Sequence, residues 1–256
     1  MTILDSIILG IIEGFTEFLP ISSTGHLIVA SHFLGIDQNS INKAYEVIIQ
    51  FAAIFAVFFN YKDKFDIKKI GLWTKVFLAF IPIGTVGFIF SSQIKELFSV
   101  TIVASMFITG GIIFLIVEKF FIKENIDRID DVEEITLKQS MIIGFAQIFA
   151  LIPGTSRAGS TIIGALLVGV GRKASAEFSF LLAFPVMSVV TLYDFIKHYE
   201  QFSDANLITL SIGFVVSFIV AYITIKLFLK FLENFTFVFF GIYRIVFGIA
   251  LLLIFN

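Results

Sequence analysis

The chain predicts an all-α polytopic membrane protein: an inverted-topology repeat of about six transmembrane helices plus two re-entrant helical hairpins. Three observations carry that reading. Of 256 residues, 58% are hydrophobic, 34 are Phe and only 15% are charged; the mean hydropathy of +0.99 lies far above that of a water-soluble domain. Six apolar runs approach the roughly 20 residues that a helix needs to cross about 30 Å of hydrocarbon. A polar, Pro/Gly-broken segment occurs once in each half of the chain.

The first element is one of these broken segments, about Leu4 to Leu34, which contains EGFTEFLPISSTGH from Glu13 to His26. A cleaved signal peptide is not expected here, because the N-terminus lacks a basic region and Glu13 and Glu17 interrupt the apolar run. The crossings Ala44 to Asn60, Thr74 to Ser92 and Val100 to Val117 follow. A second broken segment, about Leu137 to Gly171, contains PGTSRAGST from Pro153 to Thr161, and Phe178 to Tyr193, Leu207 to Ile225 and Phe235 to Phe255 complete the set. Pro20-Ile-Ser-Ser23 matches Pro153-Gly-Thr-Ser156 at an offset of 133, AYEVIIQFAA from Ala44 loosely matches SAEFSFLLAF from Ser175 at 131, and Gly111-Ile112 matches Gly248-Ile249 at 137. The near-constant offset reads as a single membrane domain over 1–256, with repeat 1 at about 1–125 and repeat 2 at about 135–256.

Each half holds three crossings, an odd number. If each broken segment returns to its own side, the second half inserts upside down, and the two segments enter from opposite faces to meet around a polar site. Broken backbone at membrane depth is tolerated only where protein or a water-filled cavity satisfies it. This topology sorts the basic residues cleanly. Lys62, Lys64, Lys68, Lys69, Lys75, Lys119, Lys123, Arg128, Lys138, Arg172, Lys173, Lys226 and Lys230 fall on one side, against Lys43, Lys95 and Lys197 on the other. By the positive-inside rule the first side is cytoplasmic, so both termini and the glutamate-bearing hairpin face outward.

The chemistry sits in the hairpins. Glu13 and Glu17 are four apart, so a helix projects both from one face, where they suit one divalent cation or supply a general base. Pro20 stops that helix. Ser22 or Ser23 then caps the next one, with His26 three residues beyond Ser23, and a helix start favours an anion. In the second hairpin Pro153-Gly154 makes the break, Thr155 and Ser156 cap the next helix, and Arg157 offers a planar fork for phosphate oxygens. Two helix starts, a guanidinium and a divalent cation around one cavity describe a phosphate site, with Ser22, Thr24, Thr155, Ser156 and Arg157 as its contacts. Intramembrane Glu, His and Arg read as functional by default; the plainer reading of Glu13, Glu17 and Arg157 is a buried ion pair pinning the repeats. Ser105, Ser188, Ser211 and Ser217 read as hydrogen-bonding glue, and His32 and His198 as solvated. Glu46 and Glu177 lie near helix starts, where the dipole alone accounts for them. Arg244 has no companion motif, which leaves its role open. The absence of Cys excludes thiol chemistry, disulfides and Cys-ligated metals.

EGFTEFLPISSTGH and PGTSRAGST resemble the two signature motifs of the undecaprenyl-diphosphate phosphatase family of bacterial membranes, the bacitracin-resistance type. AYEVIIQFAAIFAV and ASAEFSFLLAFP also look like that family's segments, so the resemblance covers nearly the whole chain. It implies ten helical segments, six of them crossing. It also implies removal of the terminal phosphate of undecaprenyl diphosphate to regenerate the lipid carrier of peptidoglycan synthesis, which confers bacitracin resistance in the bacterial plasma membrane. The family's functional residues fall on Glu13, Glu17, Ser23, His26 and Arg157. Where the family often has a second serine after the arginine, this chain has Ala158. Ser23 or His26 is the expected nucleophile, Glu17 its base, Arg157 the phosphate clamp, and Glu13 with Glu17 the ligands of Mg²⁺ or Ca²⁺. The expected partners are a polyprenyl diphosphate lipid, the membrane and a second copy of the chain, with no nucleic acid. One rival is a transporter or flippase for the lipid monophosphate, which would use the same hairpins for binding. Another is a phosphatidic-acid-type lipid phosphatase, against which the lack of Lys-x6-Arg-Pro and late His-x3-Asp patterns counts.

Overall fold

The computed structural model describes residues 1–37, 39–121, 128–198 and 204–255. Lys123 and the side chains of Lys95 and His198, used in the sequence reading, lie outside the described residues. The helices are α1 Ile3–Thr16, α2 Ser23–Phe33, α3 Ser40–Asn60, α4 Ile70–Ile89, α5 Ser91–Glu96, α6 Val100–Phe120, α7 Leu137–Gln147, α8 Arg157–Leu167, α9 Arg172–His198, α10 Asp204–Leu232 and α11 Val238–Phe255. Among the described residues, α3, α4, α6, α9, α10 and α11 are long and apolar enough to cross a membrane; they correspond to the six runs expected from the sequence, except that α4 ends at Ile89, short of Ser92, and α11 begins at Val238, after Phe235. Their outer surfaces carry large apolar side chains, Phe88 at 87% and Leu253 at 79% exposure. In water such a surface would be a liability, but acyl chains solvate it.

The pairs α1–α2 and α7–α8 form two helical hairpins. At 11 residues each, α2 and α8 reach about 17 Å, little more than half the hydrocarbon thickness. The two hairpins match position by position, 134 residues apart. Thr2 with Asp5 and Thr136 with Gln139 close the same capping box on α1 and α7. Ser22 (φ +67°) and Ser156 (φ +75°) are the positive-φ residues other than Gly among those described, and each immediately precedes the second helix of its hairpin.

Each hairpin packs on the other half of the chain, α1 against α10 and α7 against α4. Both contacts need a missing side chain. A Cβ on Gly10 would lie 2.8 Å from the Gly213 carbonyl oxygen, and one on Gly144 would strike the Ala79 carbonyl. Gly10 and Gly144, and likewise Ala79 and Gly213, are again 134 apart. The central pair α6–α11 repeats the device at an offset of 137: a Cβ on Gly111 would meet the Gly241 carbonyl at 2.6 Å, and one on Gly248 the Ala104 carbonyl at 2.8 Å. Close backbone approach through small residues is how apolar helices gain contact where no hydrophobic effect drives them together.

One end of the bundle gathers a cluster of ion pairs. Lys64 and Lys69 reach Glu133 at 2.6 and 2.7 Å, Lys75 Nζ donates to the Glu133 carbonyl at 2.6 Å, and Arg172 forks onto Glu118 at 3.1 and 2.7 Å. These contacts join loops that the odd crossing number assigns to the same side. Hydrogen bonds from Lys64 and Lys69 pull the Glu133 carboxyl down to about 2. Of the four serines read as glue, Ser105, Ser188 and Ser211 bond the carbonyl four residues back in their own helices. Ser217 alone among them crosses between helices, from α10 to the Ile49 carbonyl of α3 at 2.8 Å.

Candidate active site

The hairpin turns face each other, and the matched register decides what meets. Ser23 is the first residue of α2, and Arg157, 134 positions later, is the first residue of α8. Glu17 ends α1 as its C-cap and lies between them. Ser23 Oγ donates to Glu17 Oε2 at 2.6 Å, and Arg157 Nη2 donates to Glu17 Oε1 at 3.1 Å. Arg157 Nη1 is anchored on the Ser179 carbonyl of α9 at 3.0 Å, and the Ser179 hydroxyl accepts from Thr161 at 2.7 Å. A hydroxyl, a carboxylate and a guanidinium thus form one continuous hydrogen-bonded chain across the two halves of the sequence.

These groups open onto a cavity of about 160 Å³, whose polar wall includes Glu17, Ser22, Ser23, Thr24, Ser156 and Arg157, and whose apolar wall includes Phe98, Leu151 and Met187. The two helix starts differ. Ser156 Oγ accepts from Gly159 N at 3.1 Å and caps α8. Ser22 makes no side-chain cap, so the first N–H groups of α2 have no side-chain acceptor, in a wall already supplied with positive charge. Such a helix start is an anion site in waiting. Non-glycine residues at positive φ cost of order 1–3 kcal/mol and persist where the surroundings enforce them; both of these serines stand at the cavity.

Three expected residues lie away from this constellation. His26 is on α2 one turn past Ser23, but its Nδ1 lies 2.8 Å from the Ser22 carbonyl oxygen and its Nε2 lies 2.6 Å from Tyr243 Oη. A carbonyl can only accept, so Nδ1 carries the proton, and in the neutral ring Nε2 accepts from Tyr243. The ring stacks on Phe247 at 4.4 Å and borders a separate, largely apolar groove. The i+3 spacing gave the correct helix, but α11 determines where the ring points. Thr155 does not line the cavity; its Oγ1 is buried without a hydrogen-bond partner. Glu13 is fully buried behind Glu17, and neither of its carboxylate oxygens has a hydrogen-bond partner. Ser160, the candidate substitute for the serine absent at Ala158, bonds the Ser156 carbonyl within its own helix at 3.0 Å.

Glu13 bears on the expected cation. An ionised carboxylate buried without a partner is costly, and a proton or a metal ion would relieve it. Its hard oxygens, four residues from those of Glu17, fit Mg²⁺ or Ca²⁺. Among the described residues no group of three or more His, Cys, Asp or Glu side chains is placed to hold a metal. Glu13 and Glu17 are the two carboxylates that would hold such an ion. Glu46 is not explained by a helix start alone: it accepts from Ser31 of α2 at 3.1 Å.

The sequence matches known proteins along its length. Residues 6–250 match the family described as Bacitracin resistance protein BacA. The undecaprenyl-diphosphatase of Sulfurimonas denitrificans is 77% identical over 256 residues, covering 100% of both chains. That of Sulfurovum sp. is 64% identical over 254 residues, 99% of this chain and 100% of the relative. That of Methanococcus aeolicus is 51% identical over 255 residues, 100% of this chain and 99% of the relative.

Proposed function

The chain belongs to the Bacitracin resistance protein BacA family, and from that premise we propose that it is a membrane-embedded undecaprenyl-diphosphate phosphatase. It hydrolyses the terminal phosphoanhydride to give undecaprenyl phosphate and inorganic phosphate, which recycles the lipid carrier and confers resistance to bacitracin. The observation that carries the reading is the Ser23–Glu17–Arg157 chain at the cavity, a nucleophile, a base and an anion clamp within direct hydrogen-bond reach.

In the proposed reaction, Arg157 and the open N–H groups of α2 bind the oxygens of the terminal phosphate. Glu17 takes the proton from Ser23 Oγ as that oxygen attacks phosphorus in line with the bridging oxygen. The bridging P–O bond breaks, undecaprenyl phosphate leaves, and Ser23 carries the phosphoryl group. Glu17 passes that proton to the departing undecaprenyl phosphate, then deprotonates a water that attacks the phosphoserine, and returns this second proton to Ser23 Oγ as the Oγ–P bond breaks and inorganic phosphate leaves. Charge spread over the equatorial oxygens is what Arg157 is shaped to stabilise. A divalent cation held by Glu13 and Glu17 would neutralise phosphate charge at the same place. His26 is the second candidate nucleophile. Its engagement with Ser22 and Tyr243 favours Ser23, and His26 then orients α2 against α11.

The basic residues support an orientation in which the loops around Glu133 face the cytoplasm of a plasma membrane and the first hairpin faces outward. Family resemblance supports a homodimer, which light scattering in detergent would test. The deciding experiment is phosphate release from undecaprenyl diphosphate by purified protein, with and without divalent cation, followed by trapping of the phosphoenzyme. An acid-stable phosphate supports Ser23, and an acid-labile one moves the attack to His26. No release under any metal condition overturns the enzyme reading in favour of a carrier of the lipid monophosphate.

A further inference from the structure

Arg244 of α11 is fully buried, and no carboxylate pairs with it among the described residues. Its guanidinium binds three backbone carbonyls instead. Nη1 donates to Pro20 at 3.0 Å, and Nη2 donates to Gly154 at 3.0 Å and to Met106 at 2.9 Å. Phe107 lies beneath it, 5.1 Å from Cζ to the ring centroid, and α6 makes room with Gly110, where a Cβ would strike Nη2.

Two of those carbonyls are equivalent. Pro20 and Gly154 are 134 positions apart, and each stands three residues before the group its hairpin brings to the cavity, Ser23 in one and Arg157 in the other. One rigid planar fork therefore holds the same point of both turns. We infer that Arg244 is a positioning residue, which sets the separation of Ser23–Glu17 from Arg157 by clamping the two hairpin turns together. It does not line the cavity, so it acts through the turns. The inference rests on the proposed phosphatase reading, because that reading makes the separation matter. A flexible lysine cannot span three carbonyls in a plane as guanidinium does, and misplacing a catalytic group by about 1 Å can cost about 10²-fold in rate.

Two experiments test it. The first is a double-mutant cycle on phosphate release per folded molecule. Arg244→Lys is expected to lower kcat by about 10²-fold while the protein stays folded. In an Arg157→Ala background the same change is expected to cost little more, because the group it positions is gone. Lys69→Ala, which loses an ion pair with Glu133 in the loops, is expected to combine with Arg157→Ala multiplicatively. A multiplicative loss for Arg244→Lys as well would overturn the inference and leave Arg244 a purely structural residue. If Arg244→Lys does not fold, Gly110→Ala displaces the same guanidinium with every donor kept and enters the same cycle.

The second experiment needs no activity. The chain has no Cys, so spin labels at Phe33→Cys and Leu167→Cys, the exposed matching ends of α2 and α8, report the distance between the hairpins alone. Arg244→Lys should shift or broaden that distance. An unchanged distribution overturns the clamp even if the wild type proves to be a phosphatase, and a changed one upholds it even if the wild type releases no phosphate.

Discussion

The two hairpins share a frame and differ in chemistry. Both begin with a capping box at Thr2 or Thr136, both turn through a positive-φ serine at 22 or 156, and both restart as an 11-residue helix. Within that frame Ser23 corresponds to Arg157, Glu13 to Gln147 and Glu17 to Leu151. One hairpin carries the proposed nucleophile and two glutamates, and its counterpart carries the guanidinium. A reaction between a nucleophile and a phosphate dianion needs opposite charges on opposite sides of one cavity. Two facing copies of a hairpin supply the sides, and divergence at a few matched positions supplies the charges. The shared residues hold backbone, and the differing ones are those the proposed reaction uses.

The largest expected effect breaks the first hairpin. Ser23→Ala and Glu17→Gln should each lower phosphate release by about 10³-fold or more, and the double variant should be no worse than the poorer single one, because nucleophile and base act as a unit. Independent, multiplying losses would separate the two residues and count against Glu17 as the base. Breaking the second hairpin should cost less. Arg157→Lys keeps the charge but loses the fork onto Glu17 and the Ser179 carbonyl, with an expected loss of about 10²-fold. Wild-type kinetics in that variant would reduce Arg157 to an ion-pair partner.

A third change makes the first hairpin resemble the second. Gln147 is buried like Glu13, and its side-chain N and O atoms also lack partners, so Glu13→Gln keeps the shape and removes the charge. Activity should fall by about 10- to 100-fold, in the range of losses seen when metal-site support is removed. The rise in thermal midpoint expected of the wild type on adding Mg²⁺ or Ca²⁺ should disappear. A cation effect of undiminished size in Glu13→Gln would remove Glu13 from the metal site.

Much of this was legible in the sequence because ionisable residues and Pro/Gly breaks in an apolar chain are conspicuous. The six crossings and the residues Glu17, Ser23 and Arg157 could be read that way. The register could not. Residue identity aligns Pro20 with Pro153 at 133, whereas backbone conformation aligns Ser22 with Ser156 at 134, and only the second register sets Ser23 opposite Arg157. The direction of His26 depends on Tyr243, more than two hundred positions away, and no local pattern encodes it. Arg244 stands out in the sequence as an intramembrane cation, but its partners are carbonyl oxygens, which every residue has and no residue type marks.

The smallest expected effect is the sharpest on the comparison, because it tests the shared frame. Glycine adopts positive φ without the steric penalty that serine meets there, so replacing either turn serine relieves strain. Ser156 also caps α8 through Gly159 N, and losing a cap to glycine takes back a few tenths of a kcal/mol. Ser22 has no cap to lose. Ser22→Gly should therefore stabilise the protein by about 1 kcal/mol, and Ser156→Gly by less, as read from thermal midpoints in one detergent. Equal gains would mean that the Ser156 cap contributes nothing. A loss in Ser22→Gly would mean that its hydroxyl supports the cavity wall directly, and the strained serines would then belong to the chemistry of the two hairpins and not to their common frame.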